Sequence, residues 1–253
     1  MLLPDLIWLP AVFFVIALFY SSVGFGGGSS YLAVLSLVLT DLPTIRTVAL
    51  LCNVAVVMGN CFIYWRAGSL NMSKALPFVL LSVPAAFVGG TIRLTETAFF
   101  VTLGLVLISA ALLLVGQAER PAVASATRPS YLLPPALGGG IGLLSGVVGI
   151  GGGVFLSPVL HLLRWDTGPR IAALASFFIL VNSLAGLMGL GAGGALRMGG
   201  WLPWVLLGAV VAGGQLGSRL GLNVLGIRYI RLATAGLVFI VGLRLVLRYG
   251  LGM

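Results

Sequence analysis

The sequence is short of charge. Only 8% of its 253 residues are Asp, Glu, Lys or Arg, whereas a soluble domain carries about 25% so that water solvates its surface. That shortage excludes a soluble enzyme and a disordered linker. Five carboxylates and a single histidine, His161, leave no set of ligands for a metal and no paired-carboxylate or Ser-His-Asp arrangement inside a bundle. The chain is therefore read as non-enzymatic and without a cofactor. Cysteine is nearly absent: Cys52 and Cys61 lie nine residues apart in one apolar run, too rigidly separated on a helix to bond each other. A disulfide scaffold is excluded, and both thiols read as packing groups. The 14 Lys and Arg outnumber the five acids, yet they are scattered through short loops with no basic stripe, which excludes a nucleic-acid binder. The first twenty residues hold Asp5 but no Lys or Arg, so they lack the basic region of a cleaved signal peptide and read as a retained first helix.

What is present is apolar. Hydrophobic residues make up 60% of the chain and the mean hydropathy is +1.18. The apolar runs reach roughly 16 to 24 residues, enough to cross about 30 Å of hydrocarbon at 1.5 Å per residue. The expected fold class is an all-α polytopic membrane protein whose partner is the lipid bilayer, and a homo-oligomer is compatible with it.

The chain also repeats itself. Gly24-Phe25-Gly26-Gly27-Gly28 recurs as Gly149-Ile150-Gly151-Gly152-Gly153, an offset of 125 residues. Asp41 falls on Asp166 at the same offset, Arg46 on Arg170 at 124, and Arg93 on Arg219 at 126. Each half holds five hydrophobic segments: 4–23, 28–39, 46–65, 74–92 and 97–116, then 131–148, 153–163, 170–190, 200–218 and 228–248. The domain reading is a first transmembrane repeat over 1–116, a linker over 117–130 and a second transmembrane repeat over 131–253. An odd number of segments per half requires the second copy to be inverted. The second segment of each half spans only about 16–18 Å, half the hydrocarbon thickness. These two are half-helices, each entered through a glycine break.

Trp8, Trp65, Trp165, Trp201 and Trp204 all fall at or next to segment ends, where an amphipathic ring sits at headgroup depth. Alternating sides along the segments places nine cations (Arg66, Lys74, Arg120, Arg128, Arg164, Arg170, Arg219, Arg228, Arg231) on one face and five (Arg46, Arg93, Arg197, Arg244, Arg248) on the other. Setting aside the repeat-matched pairs Arg46/Arg170 and Arg93/Arg219 leaves seven against three. By the positive-inside rule the linker is cytoplasmic and both termini lie outside, in a cytoplasmic (inner) membrane.

The glycine stretches carry the functional argument. They are not nucleotide loops: Val154 stands where the third glycine of Gly-x-Gly-x-x-Gly belongs, and no Lys-Ser/Thr pair follows. An unwound glycine turn before a short helix lets successive N–H groups converge while the helix dipole points positive into the same space, which makes an anion site. Gly24, Gly26, Gly27, Gly28 and Ser29, with Gly149, Gly151, Gly152 and Gly153, are the candidate binding residues. The rival reading is close helix packing, the role read for Gly213, Gly217 and Gly221 at four-residue spacing. Asn53 and Asn60, seven apart on one helix face, and Asn182 in the matching segment offer amides to an anion or, equally, to a neighbouring helix. Ser21, Ser22, Ser29, Ser30, Ser145 and Ser157 flank the glycines and either add donors or bond back to their own helices. Arg46 and Arg170 follow the half-helices and suit either anion-gathering vestibules or snorkelling at the interface. Arg93 and Arg219 read as structural.

The duplicated Gly-x-Gly-Gly-Gly motif, the second copy running on as Val154-Phe155-Leu156-Ser157-Pro158-Val159-Leu160 in a basic chain of this length, resembles the sulfite exporter family (TauE/SafE), also called TSUP. The first copy has Ala33 where the second has Pro158. The resemblance implies transport of sulfite, another sulfur-containing oxyanion or an organosulfonate, and the glycine geometry puts the expected site at mid-membrane between the breaks. An anion channel, an uptake permease for another small anion, and a non-transport membrane assembly subunit are the alternatives. No carboxylate falls inside a segment, so carboxylate-based proton symport is disfavoured and export down the membrane potential is the preferred direction. A single cysteine placed in the 117–130 linker is predicted to react with a membrane-impermeant thiol reagent only once the cytoplasmic face is opened. Labelling in intact cells would reverse the orientation.

Overall fold

A computed structural model of the chain describes residues 7–22, 24–118, 132–220 and 227–251. The linker beyond Ala118, and with it Arg120 and Arg128, lies outside the described residues, as do Asp5, Glu119 and Gly221. Among the described residues the chain is helical with no strand, in the order α1 (Trp8–Ser22), α2 (Gly28–Val38), α3 (Leu42–Arg66), α4 (Met72–Thr91), α5 (Glu96–Ala118), α6 (Leu133–Val148), α7 (Gly153–Leu162), α8 (Gly168–Ala192), α9 (Leu202–Leu220) and α10 (Ile227–Gly250). Each expected segment is one helix. Four of them, α3, α4, α5 and α8, are long and apolar enough to cross a membrane. The protein is a polytopic membrane protein of helices.

Local chemistry sets the boundaries. Asp41 caps α3 by accepting from the Thr44 N–H at 3.2 Å, and Pro43 starts the first turn. Asn71 caps α4 by accepting from the Lys74 N–H at 3.3 Å. Pro77 and Pro84 lie inside α4, a placement membrane bundles tolerate because neighbouring groups satisfy the freed carbonyls. The outer surface is apolar, with Phe62, Leu80, Leu112, Met188 and Ile240 all more than half exposed. In water such a surface would aggregate, and in lipid it is the solvated face. Trp8, Trp65, Trp201 and Trp204 are exposed at helix ends. Trp165 departs from that pattern. It turns inward, with its ring edge-on to Phe78 at 5.2 Å, because the loop after α7 folds back against α4.

The helix pairs respect the sequence repeat. α1 packs on α9 as α6 packs on α4, α5 packs on α10, and α3 crosses α8, so exchanging the two halves maps the packing onto itself. Small residues make these close approaches. A Cβ on Gly138, Gly142 or Gly146 of α6 would strike the carbonyls of Phe78, Ser82 or Ala86 on α4. On the other seam, Gly213 and Gly217 of α9 face the carbonyls of Phe14 and Leu18 on α1, which bears out their reading as packing glycines. Both sets of glycines belong to the second half, on its first helix at one seam and on its fourth at the other. The two seams therefore share a packing solution without sharing its residues.

The half-helices α2 and α7 sit within this frame, with most of both helices buried. At 11 and 10 residues they span about 15–17 Å. Pro158 of α7 and Ala33 of α2 both lie within unbroken helix.

The seam glycines generate a test of the packing. Gly142→Leu and Gly217→Leu drive side chains into facing backbone and should cost about 1–3 kcal/mol or more, read as a lower melting temperature in detergent. Gly140→Leu, with nothing within 4 Å of its added Cβ, should leave it unchanged. Equal melting of Gly142→Leu and Gly140→Leu would remove the seam from the stability argument.

Candidate functional site

The two glycine stretches meet. A Cβ built on Gly28 would strike the Ile150 carbonyl of the other stretch, and it would also strike Asn53 of α3. Asn53 is 1% exposed, and its Nδ2 donates to the Ile150 oxygen at 2.7 Å. A Cβ on Gly26 would hit Asn53 Oδ1, and one on Gly151 would lie 2.6 Å from Asn53 Nδ2 and 2.8 Å from Ser183 Oγ. One asparagine therefore stands between both breaks, and glycine is needed on each side of it for lack of space.

The helix starts at this point have no side-chain caps. Gly27 caps α2 at φ 87° and Gly152 caps α7 at φ 81°. That left-handed turn aims the chain into the helix but offers no side chain to its first N–H groups. The first bonds of the two helices run from Tyr31 N–H to Gly27 O at 2.9 Å and from Phe155 N–H to Gly152 O at 3.1 Å. The donors ahead of them include those of Gly28, Ser29 and Gly153, which every helix start leaves over. Here they are buried, and each helix dipole turns its positive end to the same place. Around them stand buried polar atoms with no hydrogen-bond partner: Ser29 Oγ, Asn53 Oδ1, Ser145 Oγ and Ser183 Oγ.

The repeat is visible contact by contact. Gly26 lies against Asn53 and Val57 of α3, and Gly151 lies against Ile179 and Ser183 of α8. Gly24 lies against Ala172 of α8, and Gly149 lies against Arg46 of α3. These pairs fix the α3/α8 equivalence at 126 residues, the offset of Pro43 and Pro169. Arg46 therefore corresponds to Ala172 and not to Arg170, since a drift of two residues in a loop, about half a helical turn, shifts which helix face a residue occupies. Gly26 also differs from its counterpart: Gly151 has φ 85°, whereas Gly26 is not among the positive-φ glycines, so space alone requires glycine at Gly26.

The remaining sequence candidates fall in different places. Asn60 joins the first break, with Nδ2 donating to Phe25 O at 3.3 Å and Oδ1 accepting from Ser21 Oγ at 2.7 Å. Asn182 ties α8 to α4, accepting from Ser82 Oγ at 2.7 Å and donating to Phe178 O at 2.8 Å. The hydroxyls of Ser22 and Ser30 are bonded to Phe19 O and Tyr20 Oη, which leaves Ser29 and Ser145 as the open pair. Ser183 escaped the sequence reading, and its position one residue after Asn182 was the available signal.

The two arginines separate. Arg46 is 5% exposed, and its Nη2 donates to Gly146 O at 2.8 Å and to the Gly89 and Gly90 carbonyls at 3.4 Å. It is a buried clamp across α3, α4 and α6, not an interfacial side chain. Arg170 is exposed, 3.5 Å from Asp166, which Lys74 Nζ approaches to 2.6 Å. Asp41, the sequence counterpart of Asp166, is only a cap. Burial works to raise the Asp166 carboxyl, but the Lys74 hydrogen bond, the Thr167 N–H and the charges of Lys74 and Arg170 outweigh it, holding it below the usual aspartate range.

With this geometry, the family model for the sulfite exporter TauE/SafE matches residues 9–245. The chain belongs to the sulfite exporter TauE/SafE family. It is also 34% identical over 246 residues, 95% of this chain and 98% of the relative, to "Probable membrane transporter protein y4hK" of Sinorhizobium fredii. No solved structure matches it. In this TauE/SafE chain the motif glycines are thus the ones that let two half-helix starts close on one asparagine.

The ion pair at Asp166 sets a pH dependence. A folded-state value below the unfolded one, about 3.9, gives stability that is fully present above that pH and is lost as pH falls through the folded value. The melting temperature of wild type relative to Asp166→Asn should therefore be highest near neutrality and should converge below about pH 4. A difference that persists unchanged into acid would show that the carboxylate charge is not what the site uses.

Proposed function

We propose that this protein is a transporter in the cytoplasmic membrane that exports a small sulfur-containing anion, sulfite or a short organosulfonate, through a site between the two glycine breaks. The reading rests on one observation: the uncapped, buried starts of α2 and α7 converge at Asn53 beside hydroxyls that no protein group satisfies. Buried donors left open cost on the order of 1–3 kcal/mol each. A tetrahedral or trigonal-pyramidal oxyanion supplies several acceptors at once to the N–H groups and to Ser29 and Ser183. The family membership and the name of the curated relative support a transporter, and the sulfur chemistry follows the family description.

In this reading the second repeat is inverted, the linker is cytoplasmic and both termini face outward. Arg46 and Arg170 guard the two ends, Arg46 as a fixed charge beside Gly149 and Arg170 as an exposed one. Direction follows from electrostatics. Asp41, Glu96 and Asp166 lie at helix starts or in a loop, away from any relay along the bundle. An inside-negative potential of about 100 mV favours outward movement of one negative charge by about 2.3 kcal/mol.

Ser29→Ala and Ser183→Ala are the cleanest variants, because each removes a hydroxyl that bonds nothing in the protein. Stability should hold, while the affinity for sulfite or sulfoacetate, read from the ligand-induced melting shift, should fall about tenfold for each lost bond to an anion. Gly26→Val and Gly151→Val should abolish the shift and lower stability as well, since both collide with Asn53. Flux of sulfite, sulfoacetate, taurine and thiosulfate in proteoliposomes then ranks the substrates. Full melting shifts in both serine variants would move the site elsewhere.

A further inference from the structure

At the end of the bundle where α3 starts, a cavity of about 220 Å³ opens between Pro43, Leu94 and Phe99, and three arginines line it: Arg46, Arg93 and Arg197. None of its lining residues is acidic. At the opposite ends of α4 and α8 the cations do have an acid partner, since Asp166 sits between Lys74 and Arg170. Here only carbonyl oxygens meet the guanidinium groups: Gly146, Gly89, Gly90 and Ile92 for Arg46, and Gly193 for Arg93. Carbonyls orient a cation without cancelling its charge. Arg46 is 5% exposed and its Nε has no hydrogen-bond partner. Arg197 has an exposed side chain that makes no hydrogen bond or ion pair among the described residues, while its backbone N–H is tied to Thr47 Oγ1 of α3 at 3.3 Å.

Three like charges around one apolar-walled cavity repel each other, and low-dielectric walls strengthen the field they share. We propose that Arg46, Arg93 and Arg197 form a second anion-binding site, separate from the glycine breaks, that takes a tetrahedral oxyanion group, either a free dianion such as sulfate or the phosphate of a lipid headgroup. The volume corresponds to about seven waters at roughly 30 Å³ each, which holds such a group with part of its hydration. Planar guanidinium forks match oxyanion geometry. The backbone of Gly149 lies beside the Cβ and Cγ of Arg46, so the site adjoins the second glycine break. Its use as the outer vestibule of a transport path rests on the function proposed above, whereas the binding itself does not.

The test uses purified full-length protein at low ionic strength, with sulfate and short-chain phosphatidylglycerol as separate probes and the melting temperature as readout. One or both probes should stabilise the wild type. Arg197→Gln should raise the half-saturating concentration about tenfold, and Arg93→Gln combined with Arg197→Gln should raise it further. Both side chains are exposed, so these variants fold, and Arg197→Gln breaks no contact. The effect should persist in a Ser29→Ala, Ser183→Ala background, which separates this site from the glycine breaks. Loss of the sulfate response assigns a free oxyanion, and loss of the lipid response alone assigns a headgroup phosphate. A wild type stabilised by neither probe, or an Arg197→Gln variant with undiminished responses to both, overturns the site.

Discussion

Backbone polar groups inside a bilayer must find partners, and this structure is arranged around one place where the protein does not supply them all. Helices satisfy their own carbonyls and N–H groups except at their ends. Helices that cross the bilayer can put those ends near water or headgroups. α2 and α7 cannot, because they are too short and begin in the interior. Everything near them serves to bury two helix starts together without capping them. The glycines remove side chains that would fill the space, Asn53 ties one break to α3, Ser183 lies against Gly151, and the Ser29 and Ser183 hydroxyls have no partners of their own.

Holding two such ends together requires a rigid surround, which small residues provide. The α4–α6 and α1–α9 seams bring helices to backbone contact through Gly138, Gly142 and Gly146 on one side and Gly213 and Gly217 on the other. Lipid offers no hydrophobic drive for helix association, so close packing and carbonyl contacts carry it. Glycines on different helices of the second half achieve the same approach at the two seams. The duplicated architecture has been kept at the level of shape.

Charge breaks the symmetry that packing preserves. One end of the bundle pairs Lys74 and Arg170 with Asp166, and the other gathers Arg46, Arg93 and Arg197 with no acid among the lining residues. The contrast is local: an acid stands within the cation cluster at one end, and none lines the arginine cavity at the other. That difference belongs to side chains on a nearly symmetric frame and leaves the frame unaltered.

Sequence alone determined the membrane class, the ten helices, the half-length of α2 and α7, and the glycine breaks that open them. Each of these is a local property: run length against bilayer thickness, or glycine where a turn needs it. Tertiary structure decided which residues meet. Asn53 and Asn182 looked alike in sequence, yet one stands between the breaks and the other binds α8 to α4. Arg46 matched Arg170 by counting, but helix phase matched it to Ala172, and burial made it a clamp. Ser183, and the cavity that joins arginines from three separate stretches of chain, had no local signature. Helix phase and the crossing of α3 over α8 bring distant residues to one point, and neither can be read from spacing along a single helix.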